Sequence, residues 1–256
     1  MRIVVKVGTS TLTHPSGNLD IRHVEHLVKI LSDVRNAGHE LILVSSGAIA
    51  MGVGKLKLAA KPKDIPSRQA AAAVGQCELM YVYDKQFSEY NHVVAQVLLT
   101  ADDFEDSVRR EHLENTMRRL LDLGTIPIIN ENDTVATAEI NSVGDNDTLG
   151  AIVASAVDAE LLVLFSDIDG LYTADPHANP DAKLIPVVES ITPEIEALAG
   201  GAGTSRGTGG MTTKLKAAKI VMAHNCDLVI ANGSHPEALY DILDGAMIGT
   251  RFLGRK

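Results

Sequence analysis

The sequence predicts an α/β fold, a mainly parallel sheet covered by helices on both faces. Three observations predict it. Near-continuous apolar runs of strand length recur along the chain, amphipathic stretches of helical period separate them, and several runs end directly in the polar segments "GTS", "SSGAIA", "NEND" and "SDIDG". Strands buried on both faces lose the alternation of a half-exposed sheet, and parallel neighbours need crossovers, which are right-handed. Ligands then gather beyond the carboxyl ends of the strands, where those polar segments fall.

Each element has a local signal. "RIVVKV" is a β-branched run broken by Gly8, and from Ile21 to Ala37 the residues Ile21, Val24, Leu27, Val28, Leu31 and Val34 fall at helical spacing. Asp20 can cap that helix and Gly38 can end it. "ELILVSSG" reads as a second buried strand, Pro66 to Tyr90 as mostly helix, "HVVAQVLLT" as a strand, Glu111 to Leu123 as helix and "TIPII" as a strand. After a polar loop come a helix in "DTLGAIVASAV", a strand in "ELLVLFS", a helix in "GGMTTKLKAAKIVMAHN", a strand in "DLVIA", a short helix in "PEALYDILDG" and an edge strand in "GTRFL".

At 256 residues and 45% hydrophobic content the chain can bury a full core, as one large domain or two intimate halves. No low-complexity linker or internal repeat marks a boundary. "MRIVVKVG" turns at once to Gly, Thr and Ser, and no apolar run approaches a membrane span, so a soluble cytoplasmic protein is expected. A formal net charge of −10 opposes broad attraction to nucleic acid or to an anionic membrane, so an anionic ligand needs local donors. Cys77 and Cys226 belong to no CxxC or Cys/His cluster, and two buried thiols are expected in place of a disulfide framework or a zinc site.

Several chemistries lack their signatures. There is no GxxxxGK[ST], no complete GxGxxG, no HRD or DFG and no HExxH, and "SSGAI" lacks the GxSxG spacing of a hydrolase elbow. Ser46 has no marked His/Asp partners and reads as a hydrogen-bond donor, or as part of a turn. The glycine clusters are nonetheless placed like anion cradles: "VGTS" follows the first strand, and "GTGGMTTK" leads into a helix whose first N–H groups are free. A flexible loop with a helix cap is the equal alternative for "GTGGMTTK". Lys6, in "VVKVG", either lays its stem along the sheet with its head in water, which fits it best when taken alone, or meets a charge. Lys214 is either an exposed helical lysine beside Lys216 and Lys219, or the partner of Lys6 over a phosphate.

The stretch "NENDTVATAEINSVGDND", residues 130 to 147, holds Asn130, Asn132, Asp133, Asp145, Asn146 and Asp147 between two apolar elements. Asx-turns and a cap from Asp145 or Asp147 explain each acid singly. Together they exceed what caps require. Carboxylates can hold an ammonium while amides and backbone N–H groups hold a carboxylate, so the set suits a zwitterionic small molecule.

The ordered motifs "VVKVGTS", "VSSGAIAMG", "IPIINENDTVATAEI", "VGDND", "SDIDGLYTADP" and "GTGGMTTK" closely resemble the amino acid kinase superfamily, and within it the glutamate 5-kinase (gamma-glutamyl kinase) family, over nearly the whole chain. The resemblance implies a three-layer αβα sandwich, a single domain over residues 1–256 whose N-terminal half, about 1–150, receives the amino acid and whose C-terminal half, about 151–256, receives ATP. It implies transfer of the ATP γ-phosphoryl group to the side-chain carboxylate of L-glutamate, in proline synthesis, with Mg²⁺ held by phosphates and water. Carried over motif by motif, Lys6 and Lys214 stabilise the migrating phosphoryl group and Asp147 holds them. Ser46, Asp133 and Asn146 bind glutamate, with Asn130 and Asp145 as secondary candidates for the same role. Lys6, Ser166, Asp167, Thr208, Gly209, Gly210, Met211, Thr212, Thr213 and Lys214 contact ATP. Feedback inhibition by proline and a homo-oligomer, dimer or tetramer, are expected from the same source.

Many members of the family continue into a C-terminal PUA domain, for which a chain stopping at Lys256 has no room. Catalysis is expected to survive its absence. Within the superfamily the nearest alternative is a kinase acting on N-acetylglutamate or aspartate, and a different class is a catalytically silent sensor. An acid at Asp133 favours a free amino group, and the presence of Lys6, Lys214 and Asp147 favours catalysis.

Overall fold

The computed structural model describes residues 1–14, 16, 18–136, 145–176, 178–199 and 210–254. The chain divides into two compact units, residues 7–144 and residues 1–6 with 145–256. The first strand, β1 (Arg2–Val7), begins the second of these and its last residue opens the first.

Within residues 7–144 lie α1 (Thr9–Leu12), α2 (Ile21–Asn36), β2 (Glu40–Ser45), α3 (Ala48–Lys55), α4 (Ile65–Ser88), β3 (Val94–Leu99), α5 (Asp102–Glu105), α6 (Ser107–Asp122) and β4 (Ile126–Glu131). The strands run in the order β3-β4-β2, all parallel, with Val94 opposite Ile126 and Leu43 opposite Ile128. Leu41, Ile42, Leu43 and Val44 of β2 are wholly buried, each contributing about 1.5–3 kcal/mol of transfer free energy. Helix α2 buries Val24, Leu27, Val28, Leu31 and Val34, whereas Ile21 in its first turn is exposed. Asp20 accepts the His23 N–H at 3.1 Å, and Gly38 ends the helix at φ +96°, as the local signals foretold.

Caps explain where the boundaries differ from expectation. Helix α6 starts at Ser107 and not at Glu111, because the Asp106 carboxylate accepts the Val108 and Arg109 N–H groups, each at 2.9 Å. The expectation of two buried thiols is half corrected: Cys226 is buried, its thiol pushed up to about 12 chiefly by that burial, but Cys77 stands on an exposed face of α4. Helix α3 has no sequence signal, since two of its eight residues are glycines. It forms by close packing: a Cβ on Gly52 would lie 1.8 Å from the Ala71 carbonyl oxygen, and one on Gly75 of α4 would lie 1.7 Å from that of Ala48.

The other unit adds α7 (Asn146–Ala156), β5 (Leu161–Ser166), β6 (Val187–Val188), α8 (Pro193–Ala199), α9 (Met211–Met222), β7 (Asp227–Asn232), α10 (Ala238–Leu243) and β8 (Thr250–Phe252). Its strands run β1-β5-β7-β8-β6. β5 and β7 are parallel from Leu161↔Asp227 to Ser166↔Asn232, so their carboxyl ends finish level. β8 is antiparallel to β7, and β6 pairs outside it, so "GTRFL" is not the edge strand expected from the sequence. Two residues of β6 are too few to leave a periodic signal. Buried Thr250 fastens this corner, accepting the Leu171 N–H at 2.8 Å and donating to the Ile185 carbonyl at 2.7 Å.

Candidate active site

Three charged side chains meet inside the unit formed by residues 1–6 and 145–256. Lys6, one residue before the end of β1, places its Nζ 2.6 Å from Asp147 Oδ1. Lys214, in the first turns of α9, places its Nζ 3.0 Å from Asp147 Oδ2. Their side chains are 11% and 4% exposed and that of Asp147 1%, which decides between the readings open at each lysine. Lys6 does not reach out to water, and Lys214 turns inward while Lys216 and Lys219 are exposed. Neither lysine is a surface residue.

Asp147 is the second residue of α7, where unpaired N–H groups and the helix dipole favour a carboxylate. Burial alone would push its carboxyl up. The charges of Lys6 and Lys214, with hydrogen bonds from both, outweigh that and hold it below the usual carboxylate range. The cap of α7 is Asp145 instead, whose Oδ1 accepts the Thr148 N–H at 2.8 Å while Oδ2 accepts the Thr148 hydroxyl at 3.0 Å. Of the two aspartates that could have capped this helix, the structure thus assigns one to the cap and the other to the lysines. A Cβ on Gly150, a turn further along α7, would meet Lys6 Cβ at 3.6 Å, an ordinary van der Waals distance, so α7 lies close against the Lys6 stem.

Thr213 Oγ1 lies 2.9 Å from Asp147 Oδ2 and 2.8 Å from the Gly210 carbonyl oxygen. Its one proton is shared between two acceptors. Sequence reasoning places Thr213 among nucleotide contacts; its hydroxyl bonds the central carboxylate, and no sequence signal marks that pairing. Gly210, Met211 and Thr212 form the start of α9, with Thr212 exposed, while Thr208 and Gly209 lie outside the described residues. Ser166 ends β5 and donates to Asp167 Oδ1 at 3.1 Å. Asn146, first residue of α7, is half-buried.

Ser46, Asn130 and Asp133 belong to residues 7–144. Half-buried Ser46 follows β2, its N–H donating to the Val7 carbonyl at 3.1 Å. Gly47 next to it takes φ +103°, a left-handed turn into α3 that disfavours a side chain. Asn130 is buried in β4, and Asp133 is half-buried in the turn beyond it. Burial raises the Asp133 carboxyl, and the charges of Arg68 and Lys61 offset only part of that. An acid held this way gains by meeting a cation.

Buried ammoniums gathered on one carboxylate suit a polyanionic ligand, since the trio carries more positive than negative charge and stands beside the N-termini of α7 and α9. Among the described residues no group of three His, Cys, Asp or Glu side chains could hold a metal ion, and no helix is long and apolar enough to cross a membrane.

The family model of the amino acid kinase family matches residues 1–232. The chain is 54% identical to a glutamate 5-kinase of Clostridium perfringens (strain 13 / Type A), with 100% of this chain and 96% of that one covered. It is 52% identical to a glutamate 5-kinase of Listeria welshimeri, covering 100% and 94%, and 55% identical to one of Clostridium tetani, covering 98% and 93%. Among solved structures, the isopentenyl phosphate kinase product complex of T. acidophilum superposes with a TM-score of 0.68 at 19% identity, over 98% of this chain and 100% of that one. At that identity the likeness concerns the fold.

Proposed function

This chain belongs to the amino acid kinase family, and on that premise we propose that it transfers the γ-phosphoryl group of ATP to the side-chain carboxylate of L-glutamate, giving L-glutamyl 5-phosphate, the first step of proline biosynthesis. The observation that carries the proposal is the pair of buried ammoniums gathered on Asp147. Identity above 50% to glutamate 5-kinases over the full chain supports the choice of acceptor.

In the reaction a glutamate carboxylate oxygen forms a bond to the γ-phosphorus while the bond to the β,γ-bridging oxygen breaks, and ADP leaves with the electron pair. A glutamate side chain, of reference pKa about 4.3, is ionised at neutral pH, so no general base is required. Catalysis is then alignment and charge neutralisation on the phosphoryl oxygens. Lys6 and Lys214 supply the charge, Asp147 holds their tips, and Thr213 steadies Asp147. Ser46, Asp133 and Asn146 bind glutamate, with the raised Asp133 carboxyl pairing the substrate ammonium and Asn130 and Asp145 as secondary contacts. Ser166, Asp167 and residues 208–214 contact ATP, so the N-terminal half serves the amino acid and the C-terminal half the nucleotide. Mg²⁺ fits as a passenger of the nucleotide phosphates, for the carboxylate nearest the lysines is already engaged by them.

A cytoplasmic homo-oligomer inhibited by proline completes the proposal, resting on the family resemblance. The test is acyl phosphate formation, trapped as hydroxamate, with glutamate, aspartate and N-acetylglutamate in parallel. Glutamate is expected to dominate; equal or greater turnover with either competitor would reject the acceptor, and no product with any would reject a catalytic role.

A further inference from the structure

Helix α4 carries two buried polar side chains, Gln76 and Tyr83, to which the phosphoryl-transfer scheme assigns no part. They stand seven residues apart, about two helical turns, and so on one face.

Tyr83 Oη lies 2.8 Å from Ser45 Oγ, and Ser45 Oγ is 3.1 Å from the Ser46 carbonyl oxygen. A carbonyl can only accept, so the serine proton goes there and Tyr83 is the donor to Ser45. With the Ser46 N–H given to Val7, the peptides on both sides of Ser46 are held as the chain leaves β2.

Gln76 makes the matching contact on β4. Its Oε1 accepts from Asn130 Nδ2 at 2.9 Å, while Asn130 Oδ1 accepts the Glu131 N–H at 2.9 Å. The backbone donor sets both amides: the Asn130 oxygen must face it, so the Asn130 nitrogen faces Gln76. Gln76 Nε2 is then buried with no partner among the described residues, an arrangement that weighs against the fold. The contact with Asn130 is thus made while the Gln76 nitrogen stays unpaired.

The strands β2 and β4 are neighbours, Val44 lying opposite Ile129, so α4 pins two adjacent strand ends. Ser46 is the next residue after one, and Asp133 stands two residues beyond the other. We infer that Gln76 and Tyr83 are positioning residues for the amino-acid substrate, fixing where Ser46 and Asp133 stand while touching no substrate themselves. The inference rests on the proposal that Ser46 and Asp133 bind glutamate.

The experiment compares Tyr83→Phe and Gln76→Leu with the unsubstituted chain, reading the KM for glutamate, the KM for ATP, kcat and the melting temperature. Each variant is expected to raise the glutamate KM roughly tenfold, about 1.4 kcal/mol at 25 °C, with the ATP KM within about twofold. A lowered kcat or melting temperature at an unchanged glutamate KM would mean a purely structural role and overturn the inference. Should Tyr83→Phe fail to fold, Gln76→Leu decides alone, since the acceptor it takes from Asn130 Nδ2 is offset by removal of an unpartnered buried nitrogen. An unsubstituted chain that forms no glutamyl phosphate would overturn the proposed function and this inference with it; an active one whose variants bind glutamate normally would overturn only the inference.

Discussion

Lys6 and Lys214 hold opposite oxygens of a single carboxylate, Lys6 Nζ at 2.6 Å from Asp147 Oδ1 and Lys214 Nζ at 3.0 Å from Oδ2. A planar carboxylate is a rigid spacer, so two long and otherwise flexible side chains acquire a fixed separation. Preorganised charge of this kind costs no rearrangement at the moment of reaction.

Replacing Lys214 with alanine is expected to lower turnover by roughly two to four decades, the scale for losing a principal electrostatic stabiliser. The fold should persist, because Lys6 still pairs with Asp147. Hydroxamate formation with a circular dichroism control measures both, and unchanged turnover would return Lys214 to a packing role.

Asp147→Asn removes the anion between two buried ammoniums, and breaking a buried pair costs about 3–5 kcal/mol. We expect a stability loss of that order in urea, together with lost activity. The pH dependence has a definite sign. A carboxyl depressed in the folded state contributes fully above its ordinary value of 3.8 and loses that contribution as pH falls through the folded value. The stability difference between the two proteins should stay level from neutral pH to about pH 4 and narrow only below it; equal differences at pH 7 and near pH 2 would contradict the coupling.

Asp133 carries the opposite shift. A carboxyl raised in the folded state contributes most when protonated, and that contribution is lost as pH rises from its ordinary 3.8 through the folded value. At pH 7 its charge therefore weighs against the unliganded fold. Asp133→Asn should leave melting at pH 7 equal or higher while raising the glutamate KM roughly ten- to hundredfold, the range of a charge-assisted hydrogen bond. An unaltered glutamate KM would reject the ammonium contact.

Gly75→Ala sets a methyl group 1.7 Å from the Ala48 carbonyl oxygen, a backbone atom that cannot swing aside. Overpacking on this scale is expected to cost about 3 kcal/mol and to displace the start of α3, next to Ser46. Urea unfolding and the glutamate KM report the two effects, and a stable variant with normal affinity would show that α3 and α4 can separate without consequence.

The alternation of strands and helices, the caps at Asp20 and Gly38, and the polar segments at strand ends were all legible, because periodicity and capping are local properties of a few residues. Local signals also explain the omissions. Helix α3 owes its form to glycine contacts with α4, and β6 is two residues long, so neither leaves a pattern to read.

By itself the sequence determined which chemistry was available: two lysines beside glycine-rich turns, and a loop rich in acids and amides between apolar elements. Residue type and spacing could not tell Lys214 from Lys216 and Lys219, or Asp145 from Asp147, although the motif resemblance named Lys214 and Asp147. Only the tertiary structure decided those, turning Lys214 and Asp147 inward and leaving Asp145 as a cap. The reason is physical: a residue's type is written in the chain, but the direction it faces depends on how its helix is rotated against neighbours that arrive from far along the sequence.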